Sequence, residues 1–199
     1  MSNEKTKLFR ITLISLFIAL MLVMNFTPLG YITTGLFSIT LMTIPVALGA
    51  ACTGVTGGIV LGLVFGLTSF LQAFGIGFMI DPSAAILFNI SPLAYTTTCF
   101  VPRILVGLIS ALVFRAFEKK GKVGIPAFLC SAGIVPILNT FLFMSFYAIL
   151  YKDTVLAGAA VMTVIFSALG INFLVEFAVT LIAGTAINKV IYNYTKKLG

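Results

Sequence analysis

The stretch GVTGGIVLGLVFG, residues 54–66, decides the fold. In it Gly54, Gly58, Gly62 and Gly66 recur every four residues inside one apolar run. In a soluble helix each glycine would lower stability. In lipid, helices gain little from hydrophobicity when they meet, and they associate by close backbone approach along strips of small residues. The run therefore reads as a membrane helix pressed face-on against a neighbour.

The sequence on either side agrees. Of 199 residues, 60% are hydrophobic and 9% charged, and the mean hydropathy is +1.19. Such values lie far outside the range of soluble domains. A span needs about 20 apolar residues, so the length holds roughly five to seven spans and no soluble catalytic domain. Six are predicted, at 8–25, 39–52, 54–74, 102–117, 124–150 and 157–190. The second is short and contains Pro45; the fifth is interrupted by Gly133 and Pro136. Pro102 opens the fourth, a favoured first-turn position. Two long connections remain, 26–38 and 75–101. The second holds Asp81-Pro82 and Ser91-Pro92, with room for a short helix at 84–88. No small-x-small cleavage site follows the first apolar run, so it is read as a retained helix.

Lysine and arginine set the orientation. They cluster before the first helix (Lys5, Lys7, Arg10), between the fourth and fifth (Arg115, Lys119, Lys120, Lys122) and after the sixth (Lys189, Lys196, Lys197). Six spans place all three clusters on the cytoplasmic side, with both termini; five or seven would split them. The expected architecture is an all-α, integral membrane protein, a single six-helix domain of multi-pass topology in the cell membrane. Both long loops then lie on the outer face.

The net charge of +7 is accounted for by these topology clusters, which argues against nucleic-acid binding. There is no histidine, and Cys52, Cys99 and Cys130 form no CxxC pair. No metal site of the usual kind and no cofactor is expected. The sequence contains no GxxxxGK[ST], HExxH or GxSxG. Its five carboxylates, Glu4, Asp81, Glu118, Asp153 and Glu176, are scattered. An enzyme is not expected.

Long irregular loops in a compact protein are usually functional, so the asymmetry points to a ligand site opening outward. Arg103 is the leading candidate. At the start of the predicted fourth helix it breaks the positive-inside bias and sits at the positive end of a helix dipole. Both penalties vanish if a carboxylate or phosphate binds there; the plain alternative is a snorkelling arginine. Asn139, Asn172 and Glu176 are polar groups within spans, which serve either a ligand or helix–helix contact. Gln72 sits at the outer end of the third helix. Tyr31 and Thr34 in the first long loop, with Asn89 and Tyr95 in the other, are candidates to close over a ligand. Ser15 and Ala19 make a small-residue face on the first helix, for internal packing or for a partner.

The chain resembles the S components, the membrane-embedded substrate-binding subunits of energy-coupling factor (ECF) vitamin transporters. The resemblance covers nearly the whole chain. It is carried by residues 7–25, SITLMTIPVALGA (38–50), GGIVLGLVFGLTSF (57–70) and VPRILVG (101–107). It implies a subunit that binds a vitamin in its outer half beneath the first and third loops. It implies release inside by toppling, driven by a transmembrane coupling subunit and two ATPase subunits. Ser15 and Ala19 match the family's small-residue motif that meets the coupling subunit. The quoted stretches look most similar to the pantothenate subgroup, with Arg103 suited to the carboxylate and Asn139 and Asn172 to the amide and hydroxyls. Other vitamins, or a cobamide precursor, stay open. A standalone secondary transporter would show internal repeats or several intramembrane charges, which are not evident here.

Overall fold

A computed structural model describes residues 3–33, 38–78, 82–119, 124–151, 170, 173–187 and 189–190. Helix α1 covers Asn3–Asn25, followed by strands β1 (Tyr31–Thr33) and β2 (Ser38–Thr40). Helix α2 covers Thr43–Leu71, with one 3-10 turn at Gln72–Phe74. Helices α3 (Pro82–Ile90), α4 (Pro92–Lys119) and α5 (Ile125–Leu150) follow, and Phe173–Ile187 is helical and is labelled α6. Four helical stretches are long and apolar enough to cross a membrane: Lys7–Asn25, Thr43–Phe74, Pro92–Glu118 and Ile125–Leu150.

Helix α2 is not straight. At 1.5 Å per residue its ends would lie about 40 Å apart. Yet both touch the same strand pair, in which Tyr31 faces Thr40. Thr43 begins the helix just past β2, and Tyr31 Oη lies 3.0 Å from Thr68 Oγ1 near the other end. The chain therefore turns back on itself. The turn is at Gly54, whose φ of 76° and ψ of −160° lie outside the helical region, in a conformation that only glycine adopts freely. A Leu61 methyl then lies against Gly49 in the opposite arm. The two arms correspond to the separate helices predicted at 39–52 and 54–74, joined here without a loop. The first arm starts at Thr43 rather than 39, because Ser38–Thr40 pairs as a strand.

The glycine strip does what its spacing implies at three of its four positions. A Cβ on Gly58 would run into the carbonyl of Gly107, one on Gly62 into that of Arg103, and one on Gly66 into Cys99 and Phe100. The second arm of α2 thus lies backbone to backbone on α4. Gly54 has nothing within 4 Å of a built Cβ, so it serves the reversal and not the strip.

Helix α4 begins at Pro92, not at Pro102. Ser91 Oγ accepts the Ala94 N–H at 3.3 Å, and Pro92 takes the first helical position, where a missing N–H costs nothing. Pro102 lies in the helix interior, as membrane helices tolerate when neighbouring groups satisfy the freed backbone. Arg103 is consequently mid-helix, and the reading that set it at a helix N-terminus is corrected. The short helix expected at 84–88 is present within α3, and α5 starts within a residue of its predicted bound.

The main apolar core joins Phe17 and Met21 of α1, Val46, Leu61 and Phe65 of α2, Val106 of α4 and Val135 of α5. A smaller cluster ties Ala84 of α3 to Tyr95 and Cys99 of α4, with Phe70 and Phe88 packed on it. These two clusters frame the end of the helices at which the strand pair sits.

Candidate polar site beneath the strand pair

Polar groups collect where β1–β2 caps α2, α4, α5 and α6. Thr40 is the busiest. Its N–H donates to Glu176 Oε1 at 2.8 Å, its hydroxyl donates to the Gly30 carbonyl at 3.2 Å, and the same oxygen accepts the Met42 N–H. Glu176 Oε2 accepts from Asn139 Nδ2 at 3.5 Å. One turn further along α6, Thr180 and Thr43 share a hydrogen bond of 2.8 Å between their hydroxyls. One carboxylate thus joins β2, α5 and α6, and a hydroxyl pair repeats the link from α6 to α2 below it.

A second group lies across the strand pair. Tyr31 Oη is 3.0 Å from Thr68 Oγ1 and 3.1 Å from Ser69 Oγ. Tyr95 Oη donates to the Ser69 carbonyl at 2.9 Å. Burial pushes the Tyr31 phenol above its usual pKa, opposed by the Ser69 and Thr68 hydroxyls and by the charge of Arg103. Arg103 Nη1 donates to the Thr98 carbonyl at 2.6 Å. Its Cζ lies 4.6 Å from the centre of the Phe143 ring and 5.5 Å from that of Phe65. Such cation–π contacts keep a desolvated guanidinium in place.

Arg103, Asn139 and Glu176 are only 8%, 7% and 5% exposed, so each polar atom here needs a partner or bears a desolvation cost. Two have none: Arg103 Nε and Asn139 Oδ1. One is a cationic donor and the other a neutral acceptor. Among the described residues no carboxylate forms an ion pair with Arg103. No group of three or more metal-ligating side chains occurs among the described residues either.

The predicted site residues divide as follows. Arg103, Asn139, Glu176, Tyr31 and Tyr95 enter these two groups, and Gln72 is buried in the turn after α2. Asn89 is exposed on α3. Asn172 and Thr34 lie outside the described residues. Thr40, Thr43, Thr68, Ser69 and Thr180 join the site without a signal in the sequence. Hydroxyls in apolar helices most often bond their own backbone, so the sequence does not mark those that reach across. Ser15 and Ala19 are both exposed on α1, flanked by exposed Ile11, Leu16 and Leu20. Among the described residues they are not packed inside the protein, and an apolar face of small and large residues is left uncovered.

Two comparisons bear on this arrangement. A family model described as ECF transporter, substrate-specific component matches residues 9–194. The Pantothenic acid transporter PanT of Lactococcus lactis subsp. cremoris (strain MG1363) is 29% identical over 195 residues, covering 92% of this chain and 94% of that protein.

Proposed function

The chain belongs to the family of ECF transporter substrate-specific components, and from this premise we propose that it binds pantothenate for an ECF-type ABC importer. The name of the 29% identical relative supports that substrate. The observation that carries it is the pair of unpartnered buried atoms, Arg103 Nε and Asn139 Oδ1. Pantothenate offers a carboxylate to the first and a hydroxyl or amide N–H to the second. A charge-assisted hydrogen bond to the carboxylate would also give the guanidinium an ion-pair partner, which it lacks among the described residues.

Glu176 is assigned a supporting role. By accepting Asn139 Nδ2 it turns the amide oxygen toward the ligand, and by accepting the Thr40 N–H it seats the strand pair. Tyr31, Tyr95 and Gln72 complete the walls, and Asn172, Thr34 and Asn89 are further proposed contacts. Both unpartnered atoms are shut off from solvent, so a ligand reaches them only when part of the structure over them moves, and the strand pair, held by the Thr40–Glu176 hydrogen bond, is the proposed cover. This fits a site gated by the first and third loops.

The membrane topology follows the basic clusters: six spans in the plasma membrane, both termini cytoplasmic. The exposed Ser15–Ala19 face docks the transmembrane coupling subunit, two ATPase subunits supply hydrolysis, and toppling releases the vitamin inside. The chain itself catalyses nothing. The test is equilibrium binding of tritiated pantothenate to the purified protein in detergent, with unlabelled vitamins as competitors. Submicromolar, saturable binding competed by pantothenate alone, and lost in Arg103→Ala, is the expected result. Competition by a different vitamin would remove pantothenate and keep the class.

A further inference from the structure

A proline inside a helix deprives the carbonyl four residues earlier of its amide partner. In α4 the proline is Pro102, and the orphaned carbonyl belongs to Thr98. That carbonyl accepts Arg103 Nη1 at 2.6 Å. The side chain next to the proline thus fills the gap the proline creates.

The consequence for Arg103 is geometric. A long side chain with four rotatable bonds is held at one guanidinium nitrogen by its own helix, and Phe65 and Phe143 lie against its charged carbon. With Nη1 fixed on one side, the planar fork has a set direction, and Nε is left unpartnered. Across the helix contact, the Arg103 carbonyl is the group that a Cβ on Gly62 would strike. The backbone that carries the guanidinium is therefore fixed as well. We infer that Pro102 is a positioning residue for anion recognition: by withholding its own N–H it frees the Thr98 carbonyl to aim the Arg103 fork. The inference rests on the carboxylate role proposed for Arg103 and goes beyond it in naming what aims that group.

The discriminating variant is Pro102→Ala. Alanine restores an N–H at 102 that competes for the Thr98 carbonyl, and it is a better helix former, so the fold is retained. Two readouts are taken. The first needs no ligand: nitrogen NMR of protein labelled at its three arginines, Arg10, Arg103 and Arg115. In the wild type one guanidinium gives resolved, slowly averaging Nη signals, absent in Arg103→Lys; in Pro102→Ala these collapse to the averaged signal of a free arginine. The second is affinity. Pantothenate binding weakens about tenfold, the scale of one charged hydrogen bond. Panthenol, which has an alcohol in place of the carboxylate, binds both proteins equally. An unchanged Nη spectrum overturns the inference, as does equal weakening of both ligands, which a general shift of α4 would produce. If the wild type binds no pantothenate, the proposed substrate falls, and the arginine spectra still decide whether Pro102 fixes the fork.

Discussion

Adding a single methyl group at Gly58 separates two roles that glycine has in this chain. In Gly58→Ala the new Cβ meets the Gly107 carbonyl, with its carbon at 2.9 Å and the Ala111 methyl at 3.3 Å. Ordinary carbon contact is about 3.5–4.0 Å, so α4 has to retreat by roughly 1 Å. The obstacle is backbone and has no rotamer to change. Overpacking of this kind costs up to about 3 kcal/mol, and replacing glycine by alanine in a helix recovers about 1 kcal/mol. About 2 kcal/mol of destabilisation remains on these two figures. Valine at 58 has to cost more, because each added atom widens the gap. Gly54 behaves differently. Its surroundings are empty and its φ is 76°, so any side chain is strained by about 1–3 kcal/mol. That cost arrives with the first Cβ and grows little from alanine to larger side chains. The assay is reversible unfolding in mixed micelles, comparing alanine, serine and valine at each position. A graded series at 58 beside a flat one at 54 is the expected pattern. An alanine at 58 as stable as glycine would refute the backbone contact on which the α2–α4 packing rests.

Three other outcomes follow from the site and the surface. Glu176→Ala strands the buried Thr40 N–H, at about 1–3 kcal/mol, and the Thr40 amide should exchange with deuterium faster than its neighbours in the helices; unchanged protection would mean that the carboxylate does not hold the strand pair. Ala19→Leu should abolish co-purification with a coupling subunit while leaving vitamin affinity intact, and surviving assembly would move the docking face elsewhere. Tyr31→Phe should cost about 1 kcal/mol near neutral pH. Because burial raises the phenol above the ordinary 10.0, the unfolded chain ionises first, so wild-type stability falls as pH rises past that value. The phenylalanine variant should lose less stability in alkali, and equal alkaline losses would place Tyr31 in contact with solvent.

Much of this architecture is legible in the sequence for identifiable reasons. Apolar runs bounded by basic residues mark α5 almost to the residue and α1 at its end, though α1 starts at Asn3 and not at residue 8, and the glycine spacing marks the α2–α4 contact. Asn139, Glu176 and Arg103 stand out because charge and amide groups are costly inside apolar helices. The start of α4 is within reach of the sequence, because Ser91-Pro92 offers a serine cap that Val101-Pro102 lacks, and the expectation at Pro102 passes over it. The apolar cluster of Ala84, Tyr95 and Cys99 and the Tyr95 hydrogen bond to the Ser69 carbonyl then tie residues 92–101 of the helix to their neighbours. The strand pair is hidden because each strand is three residues long. The Thr40 partner of Glu176 is hidden because it is a backbone N–H, which every residue but proline has. Gly54 fits the spacing of the strip while serving another purpose, a coincidence that only φ and ψ resolve.

The contact between α2 and α4 joins 58 to 107, 62 to 103 and 66 to 99, a step of four on both helices running in opposite directions. At each of these glycines a main-chain carbonyl of α4 lies in the way, with the Ala111 methyl beside Gly58 and the Phe100 ring beside Gly66. On the proposed function, the cargo is read by side chains beside this contact, Tyr31 and Thr68 among them. On that reading a new molecule would be accommodated by substitutions in the lining, while the glycine strip that sets the two backbones in register is kept.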